Sequence, residues 1–129
     1  MFFAALDDRG LVRAGPTQVS RPEDDLNAFW PPSMAWTGSE LGITWSRGAG
    51  RRHFFFRRVS PLAVPLDDEL RLSWSDDEAG IFAQIVWDER LGYGLIRLVD
   101  ADGTARFTRL DPDCVPFGRD LVLGSSAHF

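Results

Sequence analysis

The chain has 129 residues, 44% of them hydrophobic, with five Trp and ten Phe. That is enough apolar matter for one core without staples, and it excludes disorder. A formal net charge of -5 argues against nonspecific binding of nucleic acid or anionic membrane by the whole surface, and the single cysteine, Cys114, excludes an intrachain disulfide.

From the first residue, "MFFAAL", "DDRG" and "LVRAG" read as strand, turn and strand, with Asp8 and Gly10 supplying turn chemistry. The same N-terminus lacks a basic leading segment, so no signal peptide is expected, and no apolar run approaches the roughly 20 residues that span a bilayer. With the lone cysteine, this sets the expectation of a cytoplasmic protein. "SRPEDDLNAFWPP" predicts one short α-helix near residues 21-30. Ser20 and Glu23 have capping-box spacing, Pro22 sits in the first turn, Leu26, Phe29 and Trp30 form an apolar stripe, and Pro31 and Pro32 end it.

From Glu40 the period becomes two. "LGITWSR", "RRHFFFRRV", "LRLSWS", "IFAQIVW", "YGLIRLVD", "ARFTRL" and "DLVLG" read as strands joined by short turns, and "PLAVPL" reads as an extended edge or loop because of Pro61 and Pro65. No internal repeat is evident. The expected fold is one all-β domain over 1-129, an antiparallel meander forming a β-sandwich or small β-barrel.

All fourteen basic residues are arginine, and five of them, with no acid, fall in "SRGAGRRHFFFRRVS". A two-residue turn at Ala49-Gly50 would set Trp45 against Phe54, Ile43 against Phe56 and Arg47 against Arg52. It would also send Phe55 to the other face with Thr44 and Arg57. Opposed arginines call for an anionic neighbour, so Arg47, Arg51, Arg52, His53, Arg57 and Arg58 form a candidate binding set. The neighbour is an acid of this chain, an anionic partner, or single-stranded nucleic acid, the last disfavoured by the acidic remainder.

A second candidate set is Gln84, Tyr93 and Arg97, polar residues on otherwise apolar strands that would line a cavity for a small hydrophobic ligand. Metal ligation has no support, since His53, His128 and Cys114 share no short motif, and no cofactor fingerprint is present. "DADGT" lacks the rest of a calcium loop and reads as a turn. A Cys114–His53 dyad has nothing but composition behind it, and no catalytic motif appears.

The leading functional expectation is therefore a small acidic binding protein without catalysis. It would act through a protein partner, as an inhibitor, immunity-type or adaptor module, with acidic turns that suit a basic partner or with a second copy as homo-oligomer. The alternatives are a barrel enclosing a small hydrophobic ligand, as carrier or as a cyclase or isomerase working by shape, and an anion or nucleic-acid binder using the arginine hairpin.

Overall fold

Alternating apolar residues between short polar turns produce an all-β chain. The computed structural model describes residues 1–21, 31–48, 52–73, 80–99 and 103–125. Its strands are β1 (Phe2–Leu6), β2 (Val12–Gln18), β3 (Ser33–Trp36), β4 (Leu41–Arg47), β5 (His53–Val59), β6 (Leu70–Arg71), β7 (Gly80–Asp88), β8 (Gly92–Val99), β9 (Thr104–Leu110) and β10 (Leu121–Ser125). They form a hairpin β1-β2 and two four-stranded sheets, β3-β4-β5-β6 and β7-β8-β9-β10, and every pairing is antiparallel. No helix occurs among the described residues, and so none there is long and apolar enough to cross a membrane. Of the helix expected near 21-30, Arg21 is not helical and 22–30 lie outside the described residues. The strand at Ser33–Trp36 carried no expectation.

The β4–β5 register differs by one residue from the expected one. Trp45 pairs with Phe55, Thr44 with Phe56, Ser46 with Phe54 and Arg47 with His53, so the connection spans residues 48–52 rather than a two-residue turn. A one-residue slip exchanges the faces. Ile43, Trp45, Phe55 and Val59 lie on one side and pack with Val19, Met1, Phe3 and Leu41. On the other side Phe54 and Phe56 join Ala35, Leu72, Ile85, Tyr93, Leu95, Leu110 and Cys114. The opposition of Arg47 to Arg52 is removed. The second sheet thus covers one face of the first four-stranded sheet, and the β1-β2 hairpin covers the other over β4 and β5.

The two sheets are copies of one unit. β5 and β9 coincide after a shift of 51 residues, as do β6 and the start of β10. The connecting segments "VSPLAVPLDDEL" and "LDPDCVPFGRDL" share Pro61/Pro112, Val64/Val115, Pro65/Pro116 and Leu70/Leu121 at that spacing. Their hydrogen bonds match. The Ser60 N–H donates to the Val64 carbonyl at 2.8 Å and the Asp111 N–H to the Val115 carbonyl at 2.9 Å; bridges join Val59 to Pro65 and Leu110 to Pro116. The earlier turns match as well: Thr37 Oγ1 accepts from the Ser39 and Glu40 N–H groups, as Asp88 Oδ1 does from Arg90 and Leu91.

The N-terminal hairpin is half of the same unit. The Asp7 N–H donates to the Leu11 carbonyl at 2.8 Å, and Asp7 Oδ1 accepts from the Arg9 and Leu11 N–H groups. The Met1 ammonium donates to Ser20 Oγ as the Phe54 N–H donates to Ser73 Oγ. By these matches β1 corresponds to β5 and β9, and β2 to β6 and β10. The described residues therefore form half a unit followed by two whole ones, a repeat that the sequence alone did not make evident.

The units stack in one sense. Each turns one face, its forward face, to the rear face of the next. Val19 and Phe3 of the hairpin meet Ile43, Trp45 and Phe55 of the first sheet, and Phe54, Phe56 and Leu72 of the first sheet meet Tyr93, Leu95 and Leu110 of the second. At the start of the stack, β3 has no strand pair among the described residues over its rear side, and Met34 and Trp36 are exposed. The matching Trp87 is partly buried, with its ring 4.6 Å from that of Tyr93.

Candidate functional site

The arginine hairpin turns its charges inward. Arg47 Nη1 donates to both Glu69 carboxylate oxygens at 2.9 and 3.1 Å, and its guanidinium lies 3.7 Å above the Phe55 ring. Arg57 caps two backbone carbonyls, those of Asp67 at 2.6 Å and Val19 at 2.7 Å. Arg58 pairs with Asp67 at 2.7 Å and Glu40 at 3.5 Å. His53 Nδ1 sits 3.1 Å from Ser73 Oγ, Arg52 accepts at its carbonyl from the Gly80 N–H, and Arg51 lies outside the described residues. Glu40, Asp67 and Glu69 lie in the connections outside the hairpin's strands. The signal for them is the shortfall of acid within the hairpin itself.

The Glu40 carboxylate also accepts from the Tyr93 hydroxyl at 3.3 Å. Burial raises the Tyr93 phenol well above its usual range, with the Glu40 charge adding to it. Nearby Cys114 stands at a backbone φ of 63° after β9, and burial pushes its thiol up to about 11. A thiol held protonated is a poor nucleophile, and His53 starts β5 at the end away from Val59 and the turn that follows it. Among the described residues no group of three or more His, Cys, Asp or Glu could hold a metal ion.

Gln84 stands on the opposite face of the second sheet from Tyr93 and Arg97. Gln84 is exposed on the forward face of the second sheet, opposite Ile96. Tyr93 and Arg97 lie on the rear face, within the core. Arg97 is 1% exposed, pairs with Asp120 through Nη2, and donates from Nη1 to the Leu72 carbonyl at 3.1 Å.

Among the described residues, the second sheet leaves much of its forward face open. Pairing places Gln84, Val86, Gly94, Ile96, Leu98, Ala105, Phe107, Arg109 and Leu121 on that side. Val86 is 61% and Ile96 42% exposed, whereas Ile85 and Leu95 on the rear face are buried. A depression of about 160 Å³ lies here, lined by Val86, Leu91, Gly94 and Phe107 with Asp88 and Arg109 at its rim. That volume is below the roughly 300–1,000 Å³ of ligand pockets, so it suits an inserted side chain better than an enclosed ligand. At the other end of the chain the rear of the hairpin exposes Phe2 at 66% and Leu6 at 57%. No family model matches this chain, and no curated protein or solved structure is similar to it.

Proposed function

We propose that the chain is a non-catalytic interaction module of stacked, sandwich-like β-layers that acts through a protein partner. The partner is a second copy of the chain, joined head to tail. The observation that carries the reading is the open forward face of the second sheet. The matching face of the first sheet is covered inside the chain by a following unit. The second presents Val86, Ile96 and Leu121 exposed, with none of the described strands over them. Exposed apolar faces of this continuity mark interaction surfaces.

A second copy is favoured because the same chain carries the complementary end. Phe2 and Leu6 sit on the hairpin's rear face, the type of face that forward faces receive at both junctions within the chain. Such a contact is heterologous, one end of a protomer to the other end of the next.

The test is Val86→Glu with Ile96→Glu, both at exposed positions. Light scattering is expected to show an assembly for the native chain and a monomer for the variant, with the two unfolding at the same temperature. A native chain that stays monomeric at its highest soluble concentration overturns the reading.

A further inference from the structure

The open depression on the forward face has a filled counterpart inside the chain. Register aligns the two. Ala35 pairs with Gly42 as Val86 pairs with Gly94, and Thr44 pairs with Phe56 as Ile96 pairs with Phe107. Ala35, Gly42 and Phe56 therefore correspond to Val86, Gly94 and Phe107. In the first sheet these residues form a socket, and the Tyr93 ring of the next unit sits in it. That ring meets Phe56 edge to face, with centroids 5.0 Å apart, and Tyr93 is 1% exposed. The glycine makes the room, since a Cβ on Gly42 would fall inside contact distance of the Tyr93 ring.

The second socket is built the same way. Phe107 leans over Gly94 as Phe56 leans over Gly42, so that a Cβ on either glycine would meet the ring edge at 2.8 and 3.0 Å respectively. Its mouth is braced: Arg109 Nε donates to the Leu91 carbonyl at 2.6 Å, and the guanidinium lies 4.7 Å from the centre of the Phe117 ring. The described residues line this socket without filling it. The space of about 160 Å³ is close to the roughly 150 Å³ of an apolar cavity that stays dry and takes up benzene. Two replacements set what fits. Val86 stands where Ala35 stands and narrows the socket. Leu91 stands where Glu40 stands, by the N–H groups that Asp88 and Thr37 accept. The carboxylate that receives the Tyr93 hydroxyl has thus given way to an aliphatic side chain. A ring with no hydroxyl or N–H is favoured, because a donor buried away from its acceptor is costly.

We propose that this socket takes the Phe2 ring of a second copy of the chain. The inference rests on the head-to-tail reading above and names the side chain that anchors it. Phe2 is 66% exposed, lies on the rear of the hairpin and carries no polar atom on its ring. Trp36, exposed on the rear side of β3, is bulkier and bears an indole N–H. A single aromatic anchor in a preformed pocket is the usual energetic centre of such a contact. One ring in one socket also gives the stacking a register, which two apolar faces alone do not.

The experiment has two arms. In the first, toluene, which copies the phenylalanine side chain, is titrated into the Phe2→Glu chain, whose socket is intact, and the methyl NMR signals of Val86 and Leu91 are followed. Saturable shifts are expected, with p-cresol binding no tighter than toluene. Adding Val86→Phe, which fills the socket and keeps the face apolar, is expected to abolish the shifts at Leu91. In the second arm, Val86→Phe and, separately, Phe2→Leu are each expected to weaken self-association of the chain by about tenfold or more in sedimentation. Shifts that do not saturate, p-cresol binding tenfold tighter than toluene, or undiminished assembly of both variants overturns the ring-in-socket contact and leaves the stacking reading standing. A native chain that never assembles overturns both.

Discussion

Three residues, Asp7, Ser60 and Asp111, do the same work at three places. Each side-chain oxygen accepts from the backbone N–H groups two and four residues on, which closes the turn. The turn then needs a left-handed residue, and the three copies use Gly10 at φ 80°, Ala63 at 61° and Cys114 at 63°. A side chain at such a φ costs about 1–2 kcal/mol. Ala63→Gly is therefore expected to be neutral or to stabilise by up to about 1 kcal/mol, even though Ala63 is fully buried. Ser60→Ala should cost about 1 kcal/mol in urea unfolding, while Ser60→Asp, which copies the other two turns, should cost nothing. The turn chemistry was legible in the sequence at Gly10. At Ala63 and Cys114 it was hidden, because neither residue advertises a positive φ.

Cys114 also yields a pH dependence. Its thiol rises from 9.0 to about 11 on folding, through burial. A raised value means the folded state favours the protonated form. The stability this contributes is complete below pH 9 and is lost as pH rises toward 11. Cys114→Ala, which places the residue of the first unit in the second, is expected to unfold like the native chain at pH 7. It should lose less melting temperature between pH 9 and 11, and equal losses would contradict the assignment.

At the scale of elements, strand type was readable and register was not. "HFFF" puts rings on both faces of β5, so either register of β4 buries phenylalanine, and period two alone cannot choose. What decides is the fit of neighbours. In the observed register Gly42 lies under the Tyr93 ring, where a Cβ would fall inside contact distance of its edge and of Phe56. Gly42→Ala should destabilise by about 1–3 kcal/mol, because Tyr93 is held by the Phe56 and Trp87 rings and cannot yield. In the expected register Gly42 would have faced the hairpin side instead, where Ile43, Trp45 and Phe55 now pack. The Ser33–Trp36 strand escaped notice because four residues after two prolines give too short a pattern to read.

For the molecule as a whole, the all-β class followed from alternation and turns, but the repeat did not. Its copies share little beyond P-x-x-V-P and a leucine five residues later, and one of them is only half present. The equivalence lives in hydrogen bonds that a Ser, an Asp or a Thr can make equally well. The candidate sites were hidden for a related reason. The arginines of the hairpin drew attention by their density, yet Arg47, Arg57 and Arg58 meet acids and carbonyls of the same chain. Arg97, one mid-strand arginine among apolar neighbours, is buried and pairs with Asp120 through Nη2. Charge bears on assembly too. Each copy carries -5, so two copies repel at long range. Added salt should screen this and strengthen self-association, whereas a basic partner would be released by it.

The most direct test of head-to-tail stacking uses two single variants, Phe2→Glu to spoil the rear face and Val86→Glu to spoil the forward face, each sedimented alone and then mixed. Stacking between unlike faces predicts that each variant alone is monomeric and that the mixture forms a dimer through the one intact pair of faces. A mixture that stays monomeric, or a Phe2→Glu chain that still assembles with itself, would contradict it.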